Sequence, residues 1–269
     1  MEEVYGGMQA YGGVSIINAL PSWYGSSMAI DMKVKVRVWE GKRNSDDKLV
    51  NEILDYFASL NVPDLRVEIE SEIPIGSGLK SSSALSTALI GEIAQKFSLK
   101  VDVTKLSAIL SLKAGVSYTG AFDDAVSSWY GGISFTYNKE FKLIKTQRAS
   151  EDMIVLLLAR GGKTRVDMSK LRAFRTLFLE FFNIAMSGRI WEAMKLNGIA
   201  VATILGYSSE PIESSLRAGA LASGISGNGP SYFAVAKEGE EGPILEALEK
   251  FGKVKLVRAI NLDNRDRTI

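Results

Sequence analysis

An α+β fold with mixed or antiparallel sheets and flanking helices is what this 269-residue sequence predicts, on three observations. Strand and helix patterns are interleaved without strict alternation. Several neighbouring strand patterns are joined too briefly for the helical crossover that a parallel pair requires. Nearly half the residues are hydrophobic, and 32 Lys plus Arg balance 31 Asp plus Glu, so the chain can bury a sizeable core.

In chain order, Met28 to Trp39 alternates, with Met32, Val34, Val36 and Val38 on one face and Lys33, Lys35 and Arg37 on the other. Asp46 to Leu60 reads as an amphipathic helix with Leu49, Ile53, Leu54 and Phe57 on its stripe. Leu65 to Ile73 alternates again through Leu65, Val67, Ile69 and Ile73. A second helix carries Leu85, Ala88, Leu89, Ile93 and Phe97, and a third covers Thr104 to Ala114, opened by Asp102 or Thr104. Strand character returns at Gly132 to Tyr137.

The second half opens on an apolar strand, Ile154 to Ala159, and a polar loop, Arg160 to Arg165. Asp167 then caps a long helix to Ser187 striped by Leu171, Phe174, Phe178, Phe181 and Ala185. Further helices are expected at Ile190 to Leu205, Glu210 to Ala222 and Pro243 to Phe251, with strands at Tyr232 to Ala236 and Val254 to Ile260.

Composition excludes whole classes of chemistry. There is no cysteine, hence no disulfide framework and no thiolate metal site. There is no histidine either, which removes the Ser-His-Asp triad, His-based zinc sites and the usual neutral-pH base. The balanced charge gives no reason to expect nucleic acid or a membrane surface as partner. No signal-peptide pattern or membrane-length apolar run is visible, so a soluble cytoplasmic protein is expected, as monomer or homodimer.

Three segments carry chemistry. The first runs Pro74, Ile75, Gly76, Ser77, Gly78, Leu79, Lys80, Ser81, Ser82, Ser83, Ala84, directly between a strand and a helix. Its glycines permit close backbone approach, the helix start offers unpaired N–H groups, and Lys80 and the serines add donors. That composition suits a triphosphate. Its spacing is neither a Walker A loop nor the dinucleotide fingerprint, and an ordinary Ser-capped helix start has the same composition. The second segment, Thr119 to Trp129, holds adjacent acids, Asp123 and Asp124. Alone it is equally a solvated turn or helix cap. Without histidine, however, a carboxylate is the natural base for a hydroxyl. The third, Ser223 to Ser231, is a Gly-rich connection that also suits an anion or substrate.

Pro-x-Gly-x-Gly-Leu-x-Ser-Ser-x-Ala at Pro74 to Ala84 is similar to the phosphate loop of the GHMP kinases. Asp123-Asp124-Ala-Val-Ser-Ser-Trp resembles the segment holding the proposed base of the mevalonate kinase type, and Thr119-Gly-Ala-Phe-Asp-Asp-Ala resembles the archaeal shikimate kinases. Ser226-Gly-Asn-Gly-Pro-Ser resembles the C-terminal GHMP motif, and Gly12 to Ala19 the N-terminal substrate strand of the same group. The resemblance implies a two-lobed GHMP fold, with residues 1–150 as the N-terminal lobe and 151–269 as the C-terminal lobe. It implies an enzyme that phosphorylates the 3-hydroxyl of shikimate with ATP and Mg²⁺. Homoserine kinase or another GHMP small-molecule kinase, and a non-catalytic ligand sensor on the same fold, are the alternatives.

Carried residue by residue, the resemblance makes 74–84 the ATP cradle, Asp123 the catalytic base and Ser82 a Mg²⁺ ligand. Asn18, Asp123, Gly227, Asn228 and Gly229 fall on the substrate side. Arg160, Lys163 and Arg165 are the candidates to meet shikimate's carboxylate, each equally an ordinary surface charge. Two departures stand out. No lysine lies between Met1 and Asp31, where mevalonate-type relatives have a catalytic one, so Lys80 and Lys113 are the candidates to replace it. The metal-binding Glu expected before Asp123 is missing around Ser111 to Ala114, which leaves Asp124 as its substitute.

Overall fold

A computed structural model describes residues 6–161 and 167–262. Two antiparallel sheets organise the chain. The first contains β1 (Met8–Ile17), β2 (Tyr24–Glu40), β3 (Leu65–Ser71), β4 (Ile133–Tyr137) and β5 (Lys142–Gln147). Its order is β1-β2-β4-β5, with β3 also paired to β2. The second contains β6 (Met153–Leu158), β7 (Ala222–Ile225), β8 (Tyr232–Lys237) and β9 (Lys255–Arg258), ordered β7-β8-β6-β9. Every ladder between these strands is antiparallel, including the briefly joined pairs β1-β2, β4-β5 and β7-β8.

The helices are α1 (Ala19–Ser22), α2 (Lys48–Ala58), α3 (Ser81–Lys96), α4 (Val103–Lys113), α5 (Phe122–Tyr130), α6 (Met168–Arg172), α7 (Arg175–Met186), α8 (Ile190–Leu205), α9 (Glu210–Arg217) and α10 (Gly242–Glu249). The first sheet takes its strands from Met8–Gln147 and the second from Met153–Arg258, but one apolar cluster runs through both. Bridges Ile30–Ala259 and Gly131–Asn261 also join them. Among the described residues no helix is long and apolar enough to cross a membrane.

The alternation in β2 is realised: Met32, Val34, Val36 and Val38 are all buried. β3 follows its pattern only in part. Leu65 and Val67 are buried, whereas Ile69 is exposed where the strand runs out along the edge of the sheet. The stretch Asp167 to Ser187 is two helices, not one. Asp167 caps α6, the chain breaks at Ala173 and Phe174, and α7 starts afresh with Phe174 exposed. The helix expected to Ala222 ends at Arg217, because Ala222 to Ile225 is drawn into β7 beside β8. The Gly-rich segment Ser223 to Ser231 therefore begins as strand and loops only from Ser226.

α8 meets β7 at a glycine pair. A Cβ on Gly198 would collide with Gly224 Cα and stand 2.8 Å from Ser223 O. This contact fixes the strand that leads into the last glycine loop. Ala gains about 1 kcal/mol over Gly in a helix interior, while overpacking against rigid backbone costs about 1–3 kcal/mol. The clash wins. Gly198→Ala is expected to lower the urea midpoint at unchanged slope; a raised midpoint would show that α8 can shift without cost.

Candidate active site

The segments singled out in the sequence meet in one place. Three successive carbonyls of the first glycine loop are tied down. Ser231 N donates to Ser77 O at 3.2 Å, Ser226 Oγ to Gly78 O at 2.9 Å, and Gly13 N to Leu79 O at 3.2 Å. The loop is thus clamped between β1 and the last glycine loop. Gly78 has φ +82°, and a Cβ there would strike Ser226 O and lie 2.9 Å from Gly229 O. Only glycine lets the two loops touch.

α3 begins at Lys80, which adopts the left-handed conformation (φ 69°) and gives the helix no side-chain cap. The first-turn N–H groups at Ser81, Ser82 and Ser83 are those an anion would use. Within the predicted cradle the side chains divide. Leu79 and Ala84 point into the core, and buried Ser77 accepts from Leu79 N. Ile75 and Ser82 are exposed, and Pro74, Gly76, Gly78 and Ser81 are partly so.

Lys80 turns inward. Its side chain is 6% exposed; Nζ donates to Ser15 Oγ at 2.6 Å and lies 3.0 Å from Asp124 Oδ1. Ser15 Oγ also accepts from Gly227 N at 3.0 Å. One ammonium therefore links β1, α3, α5 and, through Ser15, the last loop. Lys113, the other candidate cation, is exposed and pairs with Glu52 at 3.6 Å, so it is corrected to a surface charge.

The paired acids are not in a turn. They occupy the first turn of α5, which starts at Ala121 in the left-handed conformation (φ 49°) without a side-chain cap. Asp123 is 3% exposed. Its Oδ1 accepts from Asn138 Nδ2 at 2.7 Å, and its carbonyl accepts from Ser134 Oγ at 2.8 Å. Burial foremost, then the charge of Asp124, pushes the Asp123 carboxyl up to about 7, against the opposing pull of Lys80 and Asn138. Asp124 Oδ1 is buried and makes no well-aligned hydrogen bond beyond its ion-pair contact with Lys80.

Mg²⁺ prefers a few protein oxygens together with phosphate and water. The carboxylate of Asp124, with acceptor capacity to spare, and the exposed hydroxyl of Ser82 are hard donors of that kind, so the residues present fit the ion.

Of the residues expected on the substrate side, Asn18 Nδ2 donates to Gly227 O at 3.0 Å and to Asn228 Oδ1 at 2.8 Å. Asn18 N donates to Asn197 Oδ1 at 2.8 Å, and Tyr207 Oη to Asn228 O at 2.8 Å. Gly229 is buried against Tyr207. Arg160 is exposed, its guanidinium 5.4 Å from the centre of the Tyr232 ring and its backbone N donating to Ser231 Oγ. Lys163 and Arg165 lie outside the described residues. Sequence reading quoted Ser15 and Ser226 within their motifs without assigning them a part, and it missed Gly25, Asn138 and Asn197.

Family models for the GHMP kinases N terminal domain and the GHMP kinases C terminal match residues 48–132 and 188–254. The chain is 33% identical over 272 residues to the shikimate kinase of Pyrococcus abyssi, covering 93% of this chain and 97% of that one. It is 35% identical to the shikimate kinase of Archaeoglobus fulgidus, covering 97% and 95%. Among solved structures, the mevalonate kinase of Methanococcus jannaschii superposes with a TM-score of 0.71 at 15% identity, over 94% of this chain and 98% of that one. The homoserine kinase of Cytophaga hutchinsonii gives 0.69 at 17%, over 97% of each chain. These two share the fold.

The raised Asp123 carboxyl has a stability signature. The folded chain holds this proton up to about pH 7, whereas an unfolded chain releases it near 3.8. Between these values the folded state binds more protons, so rising pH removes stability, and the loss is complete above the folded value. Asp123→Asn abolishes that loss. Its stability advantage over wild type is expected to grow from pH 4 to 7, reaching on the order of a few kcal/mol, then level off. Parallel urea-melt curves across this range would show that Asp123 ionises in the normal way.

Proposed function

The chain belongs to the GHMP kinases and, among them, to the archaeal shikimate kinases, and from that premise we propose that it transfers the terminal phosphoryl group of ATP to the 3-hydroxyl of shikimate. The observation that carries the reading is the meeting of the paired acids with Lys80 at the uncapped start of α3. It supports Asp123 as base, Lys80 as cation and the start of α3 as the phosphate site.

ATP lies with its phosphates along Gly76 to Ser83, on backbone N–H groups and the serine hydroxyls. Ser82 and Asp124 would hold Mg²⁺, which when bound would offset charge on the phosphate oxygens. Lys80 supplies the positive charge that mevalonate-type relatives take from an N-terminal lysine. The acceptor hydroxyl sits against Asp123. As its oxygen bonds to the γ-phosphorus and ADP leaves, its proton passes to the Asp123 carboxylate. A carboxyl with a pKa near 7 is well matched to that task. Phosphoryl transfer asks the protein mainly for positioning and charge stabilisation. Residues 1–150 supply the cradle and the acids, and residues 151–269 close the acceptor side with Gly227, Asn228 and Gly229. Arg160 meets the shikimate carboxylate from the loop after β6.

An ADP-release assay tests the reading directly. Turnover is expected with shikimate and background release with homoserine and mevalonate; turnover with neither shikimate nor the others would leave a ligand-binding protein. Asp123→Ala should lower kcat by about two to four decades at unchanged fold. Wild-type kcat/KM should rise with pH through about 7 as the base loses its proton. Lys80→Met keeps most of the side-chain bulk without the charge, and should lower kcat by about two to three decades. Wild-type turnover in Lys80→Met would remove Lys80 from the reaction.

A further inference from the structure

β4 carries polar residues on one face in strict alternation: Ser134, Thr136 and, one step past the strand, Asn138, between Phe135 and Tyr137. All three polar residues are 0–1% exposed. Such complete burial of hydroxyls and an amide has to be met by hydrogen bonds. Those bonds converge on one residue. Ser134 Oγ holds the Asp123 carbonyl at 2.8 Å, and Asn138 Nδ2 holds the Asp123 carboxylate at 2.7 Å. Thr136 Oγ1 holds Asn138 Oδ1 at 2.6 Å.

The chemistry fixes the direction of each bond. In the ionised form that acts as base the carboxylate only accepts, so the Asn138 atom facing Asp123 in that form is the NH₂ group. That leaves the amide oxygen for Thr136, whose hydroxyl donates. Thr136 therefore locks the amide against flipping. The backbone of Asn138 is anchored too, its N donating to Trp23 O at 2.8 Å. Directly opposite Thr136 across the sheet is Gly25. A Cβ there would come within 2.6 Å of both Asp123 Cγ and Oδ2. The carboxylate is thus gripped at Oδ1 and packed at Oδ2 over bare backbone.

We propose that Asn138 is a positioning residue for Asp123: its amide occupies Oδ1, so that Oδ2, beside Gly25, is the oxygen that receives the acceptor's proton. This rests on Asp123 acting as the base. Removing the Asn138 donor frees the carboxylate to rotate and leaves no fixed oxygen toward the acceptor.

The test is the kcat and KM of shikimate-dependent ADP release in Asn138→Ala, Thr136→Val and Thr136→Ser. Asn138→Ala should lower kcat roughly tenfold, as expected for a lost hydrogen bond to a charge, with KM for ATP and for shikimate unchanged. Thr136→Val keeps the shape but frees the amide to turn; it should lower kcat by less, and Thr136→Ser should restore it. Unchanged kcat in Asn138→Ala and Thr136→Val, with Asp123 still required, overturns the role of Asn138 alone. If Asn138→Ala does not fold, Thr136→Val decides the matter. Full activity in Asp123→Asn overturns the base itself, and this inference with it.

Discussion

The site depends on one buried ammonium. A lysine taken out of water is costly unless its charge is paired and its protons are used. Lys80 satisfies both conditions, with Asp124 at 3.0 Å and Ser15 at 2.6 Å. Ser15 in turn accepts from Gly227, so the same centre sets the distance between the two glycine loops. Because Asp124 is adjacent to Asp123, the pairing also fixes the rotation of α5 about its axis. A shift of Lys80 would therefore disturb the first glycine loop, the paired acids and the last loop together. The glycine contact at Gly78 is what allows the two loops to come this close.

The two adjacent acids have the same chemistry and different surroundings. Asp124 faces the ammonium. Asp123 faces a neutral amide and the backbone at Gly25, one residue further from the cation's reach. Asp123 also lies at the positive end of α5, which favours its charged form. For Asp123 this does not outweigh burial and the neighbouring negative charge. The pair is thereby divided between a carboxylate committed to a cation and one that can exchange a proton near neutrality. Environment, not residue type, makes the division.

The strands and helices were largely legible because their apolar periods are clean, as in β2 and α2. Where periodicity misled, tertiary pairing had overridden it: Ala222 continues a helical pattern but is claimed by the ladder with Val235. The glycine loops and paired acids were visible as motifs, and their meeting was implied only by the family resemblance. Asn138 was not visible. Its partner Asp123 is fifteen residues away, and an Asn at the end of a strand reads as an ordinary turn residue. A hint did exist in the alternation Ser134, Thr136, Asn138, which turns a polar face where β2 and β4 have hydrophobic neighbours. Recognising that this face is buried required the structure.

α3 and α5 also share a way of starting. Asn18, Asp47, Asp102 and Asp167 accept first-turn N–H bonds at α1, α2, α4 and α6, while α7 to α10 start without a side-chain cap. Such a cap is worth about 1 kcal/mol. Among the described helices, α3 and α5 alone begin from a left-handed residue, and in both it is not glycine. That conformation costs a further ~1–2 kcal/mol at each. What it achieves is geometric. At α3 the lysine backbone turns so that its side chain drops inward while the first N–H groups stay open. At α5 the helix starts abruptly enough to carry both acids in its first turn. Local stability is given up at the two helix ends where charge has to be managed, and an uncapped, strained start is the form that cost takes.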